Sequence, residues 1–139
     1  MTKILIAEDN PVNLELLREV LGSTECEIVE AKNGREALKR IAETVPDIVL
    51  LDINMPVLDG LTVIGKIREQ SQYDHIPFIA ITAYAMKNDR ERILAAGFSA
   101  YVAKPIDPIT FLAELRKLIS LNNKEVSDLR PNAMHSAKV

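Results

Sequence analysis

The run Asp47-Ile48-Val49-Leu50-Leu51-Asp52, continued by Ile53-Asn54-Met55-Pro56-Val57-Leu58-Asp59-Gly60, decides how the chain folds. Its consecutive apolar residues show no alternation, so they read as a strand buried on both faces, as in a parallel sheet covered by helices. Pro56 and Asp59-Gly60 are turn signals, which puts Asp52 where the strand leaves the core for a loop. A carboxylate at the tip of an apolar strand is poorly solvated and stays ionised only beside a compensating charge. Function therefore turns on what supplies that charge.

On the N-terminal side, Lys3-Ile4-Leu5-Ile6-Ala7 reads as a first strand ending at Glu8-Asp9. Asn10 is a natural N-cap and Pro11 a suitable first helical residue, and Leu14, Leu17, Val20 and Leu21 share the face of the helix that follows. Ile28-Val29, between Glu27 and Glu30, predicts a more exposed second strand. Asn33 and Glu36 stand at capping-box spacing at the start of a second helix, with Ala37, Leu38 and Ile41 inward.

On the C-terminal side, Leu61, Ile64 and Ile67 predict a third helix and Ile76 to Thr82 a fourth strand, with Pro77 tolerable near its start. Arg90 to Ala96 predict the core of a fourth helix that Gly97 can end. Ala100 to Lys104 read as a fifth strand. Asp107-Pro108 opens a last helix with an apolar stripe of Phe111, Leu112, Leu115, Leu118 and Ile119. From about Ser120 polar residues take over, so the reading is a domain over 1–120 and a flexible tail over 121–139.

Strands alternating with helices imply an α/β fold: a flavodoxin-like, doubly wound, five-stranded parallel sheet of order 2-1-3-4-5 with five helices. A chain of 139 residues suffices for one well-cored domain and is too short for two ordinary ones. A net charge of -3 gives no electrostatic basis for nucleic-acid binding. Cys26 has no internal disulfide partner, and Glu25 and Glu27 disfavour a reactive thiolate. No segment approaches membrane-spanning length and no basic leader precedes the first strand, so the expectation is a cytoplasmic protein that meets neither membrane nor nucleic acid.

In that strand order, strands one and three are neighbours at ~4.8 Å, which brings Glu8-Asp9 beside Asp52. Thr82 and Lys104 end strands four and five at the same end of the sheet. Crowded carboxylates repel one another unless a cation intervenes, and a hard divalent ion, Mg2+ or Mn2+ in its place, suits oxygen ligands. Asp9, Asp52 and the carbonyl of Asn54 are the candidate ligands, with Glu8 acting through water. About three negative charges are then balanced by the ion and Lys104, leaving a neutral site for an incoming phosphoryl group. Asp52 is placed to attack phosphorus in line, Lys104 to stabilise the equatorial oxygens, and Thr82 to donate a hydrogen bond.

Glu8-Asp9, the Leu51-Asp52-x-x-Met55-Pro56-x-x-Asp59-Gly60 setting, Thr82-Ala83 and Lys104-Pro105 together resemble the receiver domain of two-component response regulators over roughly Lys3 to Ser120. The resemblance makes Asp52 the phosphoacceptor, Glu8 and Asp9 the acidic metal pair, Thr82 the switch hydroxyl, Lys104 the phosphate-contacting lysine and Tyr101 the switch aromatic. It also implies a cis Lys104-Pro105 bond, and Asn54 and Tyr84 fall where side chains tune phosphoryl lifetime. The chain looks most like a single-domain regulator of the cell-fate type. Such a protein takes its phosphoryl group from a sensor histidine kinase or a histidine phosphotransfer protein. It signals by binding a downstream protein through helix four, strand five and helix five. It is a phosphoacceptor rather than an enzyme, its own phosphorylation and dephosphorylation being the catalysis in question.

Each residue alone has a plainer reading: Asp52 a strand-end cap, Thr82 a helix-cap hydroxyl, Lys104 a solvated charge, Tyr101 a half-buried edge aromatic. Met55 reads as packing beneath the Asp52 loop, and His75 and His135 lack partners at ligand spacing. Three rival functions remain. A metal-dependent phosphohydrolase would carry an acid two residues after the nucleophile, where Asn54 stands. A flavodoxin-like cofactor binder would not place Glu8-Asp9 against a phosphate. A receiver-like scaffold would bind partners without phosphorylation, and then has no physical reason to keep three acids around Lys104.

Overall fold

The computed structural model describes residues 2–22, 25–83 and 87–122, and of residues 87 and 118–122 the backbone alone. Tyr84, His135, the expected tail beyond 122 and the side chains of Leu118 and Ile119 lie outside the described residues. The elements run β1 (Thr2–Ala7), α1 (Pro11–Leu21), β2 (Cys26–Ala31), α2 (Gly34–Thr44), β3 (Ile48–Asp52), α3 (Gly60–Arg68), a short 3-10 turn (Ser71–Tyr73), β4 (Phe78–Thr82), α4 (Lys87–Ala95), β5 (Ala100–Ala103) and α5 (Pro108–Asn122). All neighbouring strands pair in parallel, in the order β2-β1-β3-β4-β5.

β3 is central and every one of its residues is buried, which is what an unbroken apolar run requires. Because successive side chains leave a strand on opposite faces, β1 and β3 feed two cores. Leu5, Ala7, Val49 and Leu51 pack with Ala37 and Ile41 of α2, Val63, Ile64 and Ile67 of α3 and Ile93 of α4. Ile4, Ile6, Ile48 and Leu50 pack on the other face with Leu14, Leu17 and Leu21 of α1 and Phe111 and Leu115 of α5. Each fully buried aliphatic side chain stabilises by roughly 1.5–3 kcal/mol, so these layers fix the strand ends in place.

Local signals set most boundaries. Asn10 Oδ1 accepts from the amides of Val12 and Asn13 at the start of α1, and Asn33 Oδ1 from Glu36 N at the start of α2. The capping box at α2 closes one residue early, since Glu36 Oε1 accepts from Lys32 N. α4 extends the expected core back to Lys87 and ends at Ala95, and β4 begins at Phe78 rather than Ile76, with Pro77 contributing its carbonyl to Val49 N at 3.1 Å. β5 stops at Ala103, one residue before Lys104. Val63, absent from the apolar periodicity read for α3, is fully buried, whereas Leu61 is only partly so.

Candidate functional site

The strand register assembles the site. Ala7 pairs with Leu51, so the next residues along the two strands, Glu8 and Asp52, leave the sheet side by side. Asp52 pairs with Ile81 and Thr82 with Ala103, and Lys104 N donates to Thr82 O at 2.8 Å, which brings Thr82 and Lys104 to the same end. Glu8, Asp52 and Thr82 are buried, with exposures of 1%, 0% and 1%, whereas Asp9 is exposed. Burying carboxyls at this depth is unfavourable unless something answers their charge.

Lys104 answers part of it. Its ammonium lies 3.0 Å from Asp52 Oδ2 and 3.7 Å from Glu8 Oε2. Asp52 Oδ1 accepts from Asn54 N at 3.0 Å, so the first turn of the β3–α3 loop folds back on the strand-end acid. Asn10 N reaches Glu8 Oε2 at 3.1 Å, but Glu8 Oε1 is buried without a hydrogen-bond partner among the described residues. Burial first, and then the hydrogen-bonding contact and negative charge of Asp52, push the Glu8 carboxyl up from 4.5 to about 7. Burial would lower the Lys104 ammonium. The hydrogen bond and charge of Asp52, followed by Glu8 and Asp9, outweigh it and hold Lys104 above its ordinary value.

One carboxylate oxygen from each of Glu8, Asp9 and Asp52 lies within 4.8 Å of the others. An all-oxygen donor set of this charge, with one buried oxygen still unpaired, fits a hard divalent cation. Asn54 itself is exposed beside the cluster. The Lys104-Pro105 peptide is cis, as the resemblance implied.

Tyr101 does not join this cluster. It is half-buried on β5, at the sheet edge, and its hydroxyl accepts from Arg90 Nη1 at 3.0 Å. His75 is exposed and Met55 is buried beneath the loop.

Two neighbours escaped the sequence reading. Asp59, read only as a turn residue, caps α3 by accepting from Thr62 N at 2.8 Å, a role its position before the helix could have signalled. Gly60 lets α3 start against the acceptor strand: a Cβ there would lie 2.7 Å from Asp52 O and 2.8 Å from Ile53 Cα. No sequence spacing announces that approach, because its partners are backbone atoms.

A phosphoacceptor fold with these acids and this lysine defines a class. Residues 4–116 match the model of the response regulator receiver domain, and the chain belongs to that family. It is a receiver of two-component signal transduction. It is 38% identical over 116 residues to the polar-differentiation response regulator DivK of Brucella anthropi, covering 84% of this chain and 94% of that one. Among solved structures it is similar to the chemotaxis response regulator CheY4 of Vibrio cholerae, with TM-score 0.80 and 29% identity over 85% of this chain and 98% of that one. It is also similar to the receiver domain of the sensor histidine kinase PA1611 of Pseudomonas aeruginosa, with TM-score 0.78 and 34% identity over 86% and 98% of the two chains. That receiver holds a magnesium ion coordinated in its active-site cleft. No helix among the described residues is long and apolar enough to cross a membrane.

Proposed function

We propose that Asp52 accepts a phosphoryl group from a phosphohistidine of a sensor kinase or phosphotransfer protein, in a Mg2+-dependent reaction, and that the chain signals by phosphorylation-dependent binding. The observation that carries this is the buried Asp52 carboxylate, 3.0 Å from the Lys104 ammonium and clustered with two further acids. An oxygen of Asp52 attacks phosphorus as the P–N bond to the donor imidazole breaks, leaving an acyl phosphate here and a free histidine on the donor. Lys104 moves from the Asp52 oxygen to the new phosphoryl oxygens, and Thr82 donates its hydroxyl to them. Asp9, Asp52 and the Asn54 carbonyl would hold the ion directly, with Glu8 acting through water. When bound, magnesium supplies the positive charge that phosphoryl oxygens need among these acids.

The end of the sheet that carries the site also presents exposed apolar residues. Val12 at the start of α1, Val57 in the β3–α3 loop and Ile109 at the start of α5 are 73%, 63% and 81% exposed, and all belong to segments that follow carboxyl ends of strands. Signal leaves by α4, β5 and α5, with Tyr101 turning inward as Thr82 engages the phosphoryl group. We take the cytoplasm as the compartment, where such donors act, and 1–120 as the receiver unit with the remainder a flexible tail.

Intact mass after incubation with acetyl phosphate tests this. The wild-type chain should gain one phosphoryl group with Mg2+ and none with EDTA, and Asp52→Ala should gain none. Steady hydrolysis of a phosphate ester without a mass gain would move the reading to a phosphohydrolase.

A further inference from the structure

Among the described residues Arg90 on α4 makes no ion pair, and its guanidinium engages one side chain. Nη1 donates to the Tyr101 hydroxyl at 3.0 Å, and Cζ stands 5.9 Å from the centre of the same ring. A planar cation that both stacks on a ring and bonds its hydroxyl restrains position and orientation together. Among the described residues β5 is the edge strand of the sheet, and Tyr101 packs from it against the core. The ring also borders a groove of about 280 Å³ lined with Val102, Thr110, Phe111 and Glu114.

We infer that Arg90 is the positioning residue that holds Tyr101 in its resting pose and so sets the threshold at which phosphorylation turns the α4–β5–α5 surface to its signalling form. This rests on the switch role proposed above for Tyr101. Whatever stabilises the resting pose alone must be overcome by the activating ligand, so losing Arg90 shifts the equilibrium toward the signalling pose. A contact of this kind at an exposed site corresponds to about a fivefold shift in that equilibrium. Arg90→Lys keeps the charge and loses the planar fork, and Tyr101→Phe keeps the ring and loses the hydroxyl, so each removes part of the restraint.

The test is a titration with beryllofluoride in excess Mg2+, read by the NMR signals of the aromatic ring at position 101 (tyrosine, or phenylalanine in Tyr101→Phe) in the whole chain. Arg90→Ala should reach half-conversion at about one-fifth of the wild-type concentration, with Arg90→Lys and Tyr101→Phe between them and unfolding midpoints unchanged. A wild-type ring that responds while Arg90→Ala keeps the wild-type midpoint overturns the inference alone. A ring that responds in no variant overturns the switch role of Tyr101 and the inference with it.

Discussion

Lys104 Nζ lies 3.0 Å from Asp52 Oδ2, and the same ammonium is 3.7 Å from Glu8 Oε2, so one cation is shared by two buried carboxyls. The side chain of Lys104 is 22% exposed and those of Glu8 and Asp52 are 0% and 1% exposed, so the lysine reaches water where the acids do not. Its removal leaves the acids facing one another.

Lys104→Met should therefore lower unfolding stability at pH 8 by about 1–3 kcal/mol, less than for a fully enclosed pair because water reaches this lysine. Acceptance of phosphate from acetyl phosphate should slow by at least ~10²-fold, the scale of losing one charge-stabilising group. Urea denaturation and time-resolved intact mass check the two effects. A variant as stable as wild type at pH 8 would show that the acids do not depend on this cation.

The Glu8 carboxyl, pushed up from 4.5 to about 7, ties stability to pH. A carboxyl that holds its proton more tightly when folded stabilises the fold fully below its unfolded value and loses that contribution as pH rises. Metal-free protein should thus lose stability between pH 4.5 and about 7, by about 3 kcal/mol at most, and level off above. Glu30, held below 4.5 by its hydrogen bond to Arg18, acts in a lower window with the opposite slope. Magnesium should raise the melting temperature most at the high-pH end, where Glu8 is ionised. Thermal melts in EDTA and in Mg2+ across this range decide it, a metal-free profile that rises with pH being the contrary outcome.

Gly60→Ala sets intrinsic preference against packing. Alanine favours a helix by about 1 kcal/mol over glycine. Here its Cβ would sit 2.7 Å from Asp52 O, so the acceptor strand or α3 must shift. The variant should be less stable by about 1–3 kcal/mol and accept phosphate more slowly. A stabilised variant would mean that the loop gives way freely.

Thr82→Ala removes the proposed reporter and leaves the acceptor. Asp52 should still gain its phosphoryl group, while the change in amide exchange over α4, β5 and α5 on adding beryllofluoride disappears. Retention of that change would place the trigger elsewhere.

The sheet was legible because its signals are local. The unbroken run of β3, the polar residues at the strand ends and the caps Asn10 and Asn33 are each written in residue type and spacing. Strand order then placed Glu8, Asp52, Thr82 and Lys104 at one end without any contact being known. What stayed hidden depends on partners that residue type does not encode. The guanidinium of Arg68 donates to the carbonyls of Tyr73, Ile76 and Gly97 and lies over Phe78, tying α3 to the turn before β4 and to the α4–β5 connection. Any residue supplies a carbonyl, so nothing in the letters points to that latch. Val57, with φ of +73°, is likewise unreadable, since a β-branched residue is among the least suited to that conformation.

The most direct test of the account locates the phosphoryl group itself. After reaction with acetyl phosphate and Mg2+, borohydride converts an aspartyl phosphate to homoserine, and peptide mapping finds the converted residue. Conversion at Asp52, with none at Glu8, Asp9 or Asp59, is the predicted result. Conversion at another residue, or none at all in a chain that has gained mass, would contradict it.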